Sequence, residues 1–207
     1  MRRCLALIFL LSAGAIVTGC QRRTVAESLP ATPAQLSQQF WAVPDFSLTE
    51  RTGSTITAAS LKGKVWVADF FYTTCPGPCP MLSSRLSDIQ RLIGPDERVR
   101  LVSISTDPEK DTPEVLQQYA ERFQASDRWL FLTGDKAQIF DLGIRGFKLP
   151  IVEDRSAAEP ITHSTRLILI DQSGAIRGFY EGVGEEGPER IVGDIRRLLD
   201  APPRPAS

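Results

Sequence analysis

Three short apolar segments, at 64–72, 98–105 and 129–132, each predict a buried strand of a central sheet. The first is nearly continuous in apolar residues, which is typical of a strand covered on both faces. Between these strands, apolar residues recur at spacings of three and four, which predicts helices that bury one face. Those positions are Leu82, Leu86, Ile89 and Ile93 in one helix, and Leu116, Ala120 and Phe123 in the next.

Residues that favour helix ends mark where the helices begin and stop. Gly94 ends the first helix, and Thr112 caps the second, with a proline in its first turn. A short third helix is predicted over 135–142 and is stopped by Gly143. Pro188 opens a last helix, whose inner face carries Ile191, Ile195 and Leu198.

Two hairpins complete the pattern. The first covers 46–57 and turns at 51–54, and the second joins strands at 165–170 and 175–180 through a turn that ends at Gly174. Strands that alternate with helices indicate a parallel sheet covered on both sides, and the closing hairpin makes the sheet mixed. We therefore predict an α/β fold, a mixed sheet flanked by helices with an N-terminal β-hairpin.

Composition excludes several classes of protein. The 207 residues are 42% hydrophobic and 24% charged, which is the balance of a globular chain rather than a disordered one. Four cysteines are far too few for a disulfide-dense scaffold. The formal charge is −1 and the basic residues are scattered, so no basic stripe exists to neutralise phosphates. We expect one domain and no nucleic-acid partner.

The N-terminus reads as a targeting segment. Two arginines precede an uncharged stretch at 4–17, which is too short to span a bilayer and is typical of a signal peptide. Small residues then precede Cys20, and this arrangement resembles the lipobox of bacterial lipoproteins, in which that cysteine carries the lipid. An ordinary signal peptide with a chance cysteine, or a retained short anchor helix, are the alternatives.

These features divide the chain into four predicted parts. Residues 1–19 are a lipoprotein signal peptide, and 20–42 are a flexible tether. Residues 43–200 form the folded domain, and the proline-rich segment 201–207 is a disordered tail.

The candidate chemistry lies at Cys75 and Cys79, where the first central strand feeds the first helix. We expect Cys75 at the helix N-terminus, whose partial positive charge stabilises a thiolate, with Cys79 one turn later on the same helix face. In an oxidising compartment such a pair is a disulfide, a redox pair or a metal site. The strand–cysteine–helix junction indicates a thioredoxin-like fold.

The CxxxC spacing favours metal binding over disulfide exchange. Dedicated exchangers use CxxC, whereas two thiolates four positions apart can point at one ion. Thiolates are soft ligands that suit Cu(I). A structural zinc site needs four protein ligands, so zinc would require an added carboxylate or water.

His163 is the only histidine in the chain. It follows the segment 146–162, which shows no periodicity and is predicted to be a long loop, and loops of this length are often functional. In thioredoxin-like folds the loop before the second-last strand lies against the cysteines. A single histidine more often lies on the surface or in the core than at a metal, but this location makes His163 a candidate third ligand.

Three motifs in order resemble the Sco/SenC family of copper-handling proteins. They are the segment from Cys75 to Pro80, the acidic segment from Ser105 to Glu114, and His163-Ser164 followed by an apolar strand that ends at Asp171. The resemblance implies one copper ion, as Cu(I) or Cu(II), bound by Cys75, Cys79 and His163. It also implies delivery of copper to the CuA centre of cytochrome c oxidase subunit II, or to another copper acceptor.

The resemblance has one departure and leaves other readings open. Members of the family often carry an acidic residue between the cysteines, where this chain has Gly77 and Pro78. Asp107 is a candidate for supporting the ligands, although most such acids cap a helix or face solvent. Met81 could offer a thioether, but a methionine at a helix start usually packs.

Two other functions compete with the copper chaperone. In a thiol-disulfide oxidoreductase, Cys75 attacks and Cys79 resolves, a thiol reductant regenerates the pair, and His163 is not needed. The pair would reduce the cysteines of the CuA centre or other extracytoplasmic thiols. A peroxidase-like activity, with Thr73 and Arg166 near the active cysteine, and a plain structural disulfide are further alternatives. In each case we expect the domain outside the cytoplasmic membrane, on the periplasmic side in a Gram-negative cell.

Overall fold

The computed structural model describes residues 40–154, 156 and 161–201. A seven-stranded mixed sheet forms the centre, with the strand order β2-β1-β5-β4-β3-β8-β9, and β6 pairs with β7 in a separate small sheet. The strands are β1 Ser47–Glu50, β2 Thr55–Thr57, β3 Val65–Phe71, β4 Val99–Ser105, β5 Trp129–Thr133, β6 Ile151–Glu153, β7 Ile161–His163, β8 Arg166–Ile170 and β9 Ile176–Glu181.

Helices cover both faces of this sheet. Successive residues of a strand point to opposite faces, so Phe70 and Phe71 of β3 mark the two layers. Phe71 packs on Tyr119, with ring centroids 5.1 Å apart, while Phe70 packs edge-on against Phe147. The helices are α1 Cys79–Ile93, α2 Pro113–Arg122, α3 Lys136–Asp141 and α4 Glu189–Asp200, and a short 3₁₀ turn covers Ala59–Leu61.

The predicted fold class is confirmed. Strands β3, β4 and β5 are parallel, β8 runs antiparallel to β3, and β1 and β2 form the N-terminal hairpin. All seven residues of β3 are buried, as its continuous apolar pattern predicted. The hydroxyl of Thr112 accepts a hydrogen bond from the Val115 amide at the start of α2, and Gly94 ends α1 with a φ of 71°.

The register between β3 and β8 determines what lies beside the cysteines. Trp66 pairs with Ile170 and Ala68 pairs with Ile168, so each step along β3 moves one step back along β8. If this register is continued past the end of β3 at Phe71, the residues just after β3 lie opposite the residues just before β8. His163 lies in that stretch.

One sequence prediction about the region before β8 is wrong, and another is confirmed only in part. The third helix ends at Asp141, next to its predicted end at 142, but Gly143 does not stop the chain, which continues in a wide turn over Leu142–Gly146, where the Phe147 amide donates to the Leu142 carbonyl. Gly143 is instead a close-packing position, since a Cβ there would lie 2.2 Å from Cδ1 of Ile151. The segment 146–162 is not entirely a loop, because it contains β6 and most of β7.

The chain ends lie largely outside the described residues. The predicted signal peptide, Cys20, most of the predicted tether and residues 202–207 all fall there. Residues 40–42 are bound to the domain, since the Phe40 amide donates to the Ile176 carbonyl and Trp41 Nε1 donates to the Gly146 carbonyl. Within the described part of the chain, none of the helices has the length and apolar character needed to cross a bilayer.

Candidate metal and redox site

Cys75 and Cys79 lie where β3 leaves the sheet and α1 begins. After β3 the chain passes through buried Tyr72 into a turn, and the helix starts at Cys79. The prediction that both cysteines share a helix face is therefore wrong, because Cys75 precedes the helix by four residues. The turn, rather than the helix, brings the two sulfurs together.

A buried carboxylate anchors this turn. Asp111 accepts hydrogen bonds from the backbone amide of Thr73 at 3.0 Å and from the Thr73 hydroxyl at 2.5 Å. The Ser105 hydroxyl donates to the same carboxylate at 2.5 Å. Asp111 is fully buried, and burial raises the pKa of its carboxyl. Asp111 of the acidic segment from Ser105 to Glu114 therefore fixes the position of Thr73, which lies two residues before Cys75.

His163 lies at the end of β7, opposite Ile151 of β6. Its Nδ1 atom is 3.0 Å from the carbonyl oxygen of Ser164, which can only accept a hydrogen bond, so Nδ1 carries the proton. In the neutral ring Nε2 then holds a lone pair, and this atom is 3.2 Å from Sγ of Cys79. The ring also packs edge-on against Tyr72. A backbone partner that fixes the tautomer in this way is typical of metal-binding histidines.

The structure brings the three predicted ligands together. One ligand atom from each of Cys75, Cys79 and His163 lies within 4.8 Å of the other two. Metal–sulfur and metal–nitrogen bonds are about 2.0 to 2.3 Å long, so ligands on one ion stand about 3.5 to 4.5 Å apart. The residues therefore fit one metal ion after small adjustments, and two sulfurs with one imidazole suit copper.

The two cysteines have opposite electrostatic environments. Burial raises the pKa of the Cys75 thiol, but hydrogen bonding with His163, Cys79 and the nearby backbone outweighs burial and lowers that pKa to about 7. Burial, followed by the hydrogen bond to Cys75, raises the pKa of the Cys79 thiol. Both thiols are free. Cys75 is therefore the readily ionised member of the pair, and Cys79 is the buried one.

Asp69 is a site neighbour that the sequence analysis did not single out. It lies on β3 and is fully buried, and burial raises the pKa of its carboxyl to about 7. Oδ1 accepts from the Ser103 hydroxyl at 2.5 Å, and Oδ2 has no hydrogen-bond partner within the described residues. It interacts electrostatically with Cys79 and His163. The signal was available, because a carboxylate inside a continuous apolar strand is costly to bury.

The other candidate residues have different surroundings. The Asp107 carboxylate is buried and pairs with Lys110 at 3.0 Å, and its amide donates to the Ser105 hydroxyl. Met81 is 57% exposed. Arg166, suggested for a peroxidase, lies 3.7 Å from a carboxylate oxygen of Glu181. The Thr73 hydroxyl, suggested for the same role, donates to Asp111.

Solved structures resemble this chain in fold and sequence. A SCO1/SenC family lipoprotein from Bacillus anthracis has 31% identity and a TM-score of 0.72, and the match covers 77% of this chain and 95% of that one. BsSco, described as a member of the Sco family of cytochrome c oxidase assembly proteins with a disulfide switch, has 30% identity and a TM-score of 0.70, covering 79% and 96%. ScoI from Bradyrhizobium japonicum, solved with copper bound, has 29% identity and a TM-score of 0.65, covering 76% and 99%.

The sequence also matches a family model over most of its length. That model describes the SCO1/SenC family, and the match covers residues 34–200. It includes the cysteine turn, the acidic motif and His163. The neighbours share the thioredoxin-like fold, and relatives with copper bound are among them. The chain belongs to the SCO1/SenC family.

Proposed function

We propose that this protein is a copper-binding metallochaperone in which Cys75, Cys79 and His163 hold one copper ion. The observation that carries the proposal is the convergence of two sulfurs and one imidazole nitrogen within 4.8 Å. The fixed tautomer of His163 supports it, because the lone pair of Nε2 is directed at the sulfurs. Copper in the ScoI relative agrees with the choice of metal.

Copper is the cargo in this proposal and leaves by ligand exchange. Three ligands leave an open position at the ion, to which a ligand of the acceptor can bind before the protein's own ligands release it. We propose the CuA centre of cytochrome c oxidase subunit II, or another copper acceptor, as the destination. The description of BsSco as belonging to a family of cytochrome c oxidase assembly proteins supports this choice.

Copper stoichiometry and absorption of the reduced protein test the proposal. The wild type should bind one copper ion per chain, and His163→Ala should weaken binding while both thiols stay oxidisable. Thr162→Ala is a matched control, because Thr162 is an exposed neighbour on the same strand. Equal copper retention by His163→Ala and wild type would refute the three-ligand site.

A thiol-disulfide reductase is the second candidate, favoured by the lowered pKa of Cys75. The Cys75 thiolate attacks a substrate disulfide and releases one substrate thiolate. Cys79 then gives up its proton and attacks Sγ of Cys75, which forms the Cys75–Cys79 disulfide and releases the second thiol. The pair supplies two electrons, and a thiol reductant restores them. Turnover on a disulfide substrate that survives His163→Ala, with no copper requirement in cells, would favour this function.

The proposed cellular setting follows from the ends of the chain. Residues 1–19 act as a lipoprotein signal peptide, and lipid on Cys20 anchors the protein to the outer side of the cytoplasmic membrane. Residues 20–42 form the tether, whose last three residues are bound to the domain, while 43–200 form the domain and 201–207 the tail. The lipoprotein among the relatives supports the anchor. Labelled fatty acid should enter the wild type but not Cys20→Ala, and equal labelling of both would exclude lipid at this position.

A further inference from the structure

We infer that Lys136 is a positioning residue that holds His163 beside the two cysteines, an inference that rests on the proposed copper-binding function. Lys136 is the first residue of α3, which directly follows β5 of the central sheet. Its backbone is therefore fixed to the sheet. Its ammonium group contacts the two segments that support the ligands.

The stronger contact is with the hairpin that carries His163. Nζ of Lys136 lies 2.7 Å from Oε2 and 2.8 Å from Oε1 of Glu153. Glu153 pairs across the hairpin with Ile161, two residues before His163. The two charged side chains are 26% and 25% exposed, so water screens this pair less than a typical surface pair.

The second contact is with the segment that supports Cys75. Nζ of Lys136 lies 3.5 Å from Oε1 of Glu109. Glu109 is two residues before Asp111, whose carboxylate binds Thr73 in the cysteine turn. One ammonium therefore joins the segment behind Cys75 to the hairpin that bears His163.

The hairpin needs such an anchor because it is small. Strands β6 and β7 pair through only three residues each and form a sheet separate from the central one. A two-stranded hairpin alone is marginally stable in water. Ile151 and Ile161 are buried and hold the hairpin against the domain. The Lys136–Glu153 pair holds the end of the hairpin at which Glu153 pairs with Ile161. Loss of the pair lets His163 move away from the sulfurs.

The single histidine allows this to be tested without metal. In the reduced, metal-free full chain, the nitrogen NMR spectrum of the one imidazole reports its tautomer and surroundings. Lys136→Met and Glu153→Gln should each shift the ring signals and mix the tautomers. Lys136→Arg keeps the charge and should preserve the wild-type spectrum, as should Lys62→Met, which removes an exposed lysine elsewhere.

Copper affinity, measured by competition with a Cu(I) chelator, gives the second test. Lys136→Met and Glu153→Gln should each raise the Kd about tenfold. A double-mutant cycle separates positioning from general stability. In the His163→Ala protein, Lys136→Met should have no further effect on the Kd, because the ligand it positions is gone.

These measurements separate this inference from the function on which it rests. A wild-type ring spectrum in both Lys136→Met and Glu153→Gln would overturn the positioning role whether or not copper binds. An equal loss of affinity in the His163→Ala background would also overturn it, since Lys136 would then act on the fold alone. If the wild type bound no copper, the proposed function would fail, and the metal-free spectrum would still decide the role of Lys136.

Discussion

His163 Nε2 lies 3.2 Å from Sγ of Cys79, although the two residues are 84 positions apart in the chain. The contact is directional, because Nδ1 is occupied by the Ser164 carbonyl and Nε2 is left as the free acceptor of the neutral ring. The same imidazole lowers the pKa of the Cys75 thiol, because Nε2 can take up the thiol proton and then donate a hydrogen bond to the thiolate. One ring therefore contributes both to the proposed metal site and to the reactivity of the thiol pair.

The reactivity of Cys75 should depend on His163. Alkylation of the reduced, metal-free protein by iodoacetamide should give a pH–rate midpoint near 7 at Cys75, since the reactive species is the thiolate. In His163→Ala the midpoint should move upward, because the imidazole that takes up the thiol proton and stabilises the thiolate is lost. Mass spectrometry of the modified peptide gives the rates. Thr162→Ala should match wild type, and an unchanged midpoint in His163→Ala would contradict the assignment.

Asp111 should be necessary for the stability of the cysteine turn. Asp111→Ala leaves the Thr73 amide and the Thr73 and Ser105 hydroxyls without their acceptor inside the protein. We expect the free energy of unfolding to fall by about 3 kcal/mol, the cost of buried unsatisfied donors. Urea denaturation of the reduced protein measures it. Asp88→Ala removes an exposed carboxylate paired with Arg91 and should cost less than about 1 kcal/mol; equal losses would show that Asp111 is not an anchor.

Asp69 should make the protein less stable as the pH rises. Burial raises the pKa of its carboxyl to about 7 in the native state, whereas an unfolded aspartate has a pKa near 3.8. Between these values the native state keeps a proton that the unfolded state has released, so stability decreases with pH. The loss approaches about 4 kcal/mol by pH 7 and is constant above it.

Asp69→Asn removes that contribution and should flatten the profile. Urea denaturation of the reduced proteins at pH 5, 6 and 8 should show that the free energy of unfolding of the variant increases relative to that of the wild type as the pH rises. Asp88→Asn, an exposed carboxyl, is the control and should keep the wild-type slope. A constant difference between Asp69→Asn and wild type across this range would mean that Asp69 is ionised throughout.

Gly182 should tolerate no side chain. A Cβ at this position would lie 2.1 Å from Cδ1 of Leu82 and 2.4 Å from the carbonyl oxygen of Thr165, two residues after His163. Gly182→Ala must therefore displace backbone next to the site. We expect a loss of about 1 to 3 kcal/mol in the free energy of unfolding and weaker copper binding.

Gly193→Ala is the matched control for that change. Gly193 lies within α4, and a Cβ there would meet nothing within 4 Å. Alanine is a better helix former than glycine, so the free energy of unfolding of this variant should be about 0.5 to 1 kcal/mol higher than that of the wild type. Thermal or urea denaturation measures it. If both variants behaved alike, the close approach at Gly182 would have no energetic consequence.

Most strands and helices could be predicted from the sequence, because they depend on the spacing of apolar residues and on the residues at helix ends. The apolar run of β3 is buried on both faces, and Thr112 and Gly94 mark helix ends as expected. The third helix ends near the predicted position, but the role predicted for Gly143 was wrong, because this glycine allows close packing against Ile151 and does not stop the chain. The prediction also missed β6, because a strand of three residues gives too short a pattern to recognise.

The sequence by itself determined the donor set, since its motifs contain two cysteines four positions apart and the only histidine of the chain. Only the tertiary structure decided that these groups meet, and how. The antiparallel register of β3 and β8 carries His163 to the cysteine turn, and the turn rather than a helix face joins the sulfurs. Asp69 and Lys136 gain their roles in the same way. Such relationships depend on contacts between distant segments, and local propensity contains no information about which distant segments will pack together.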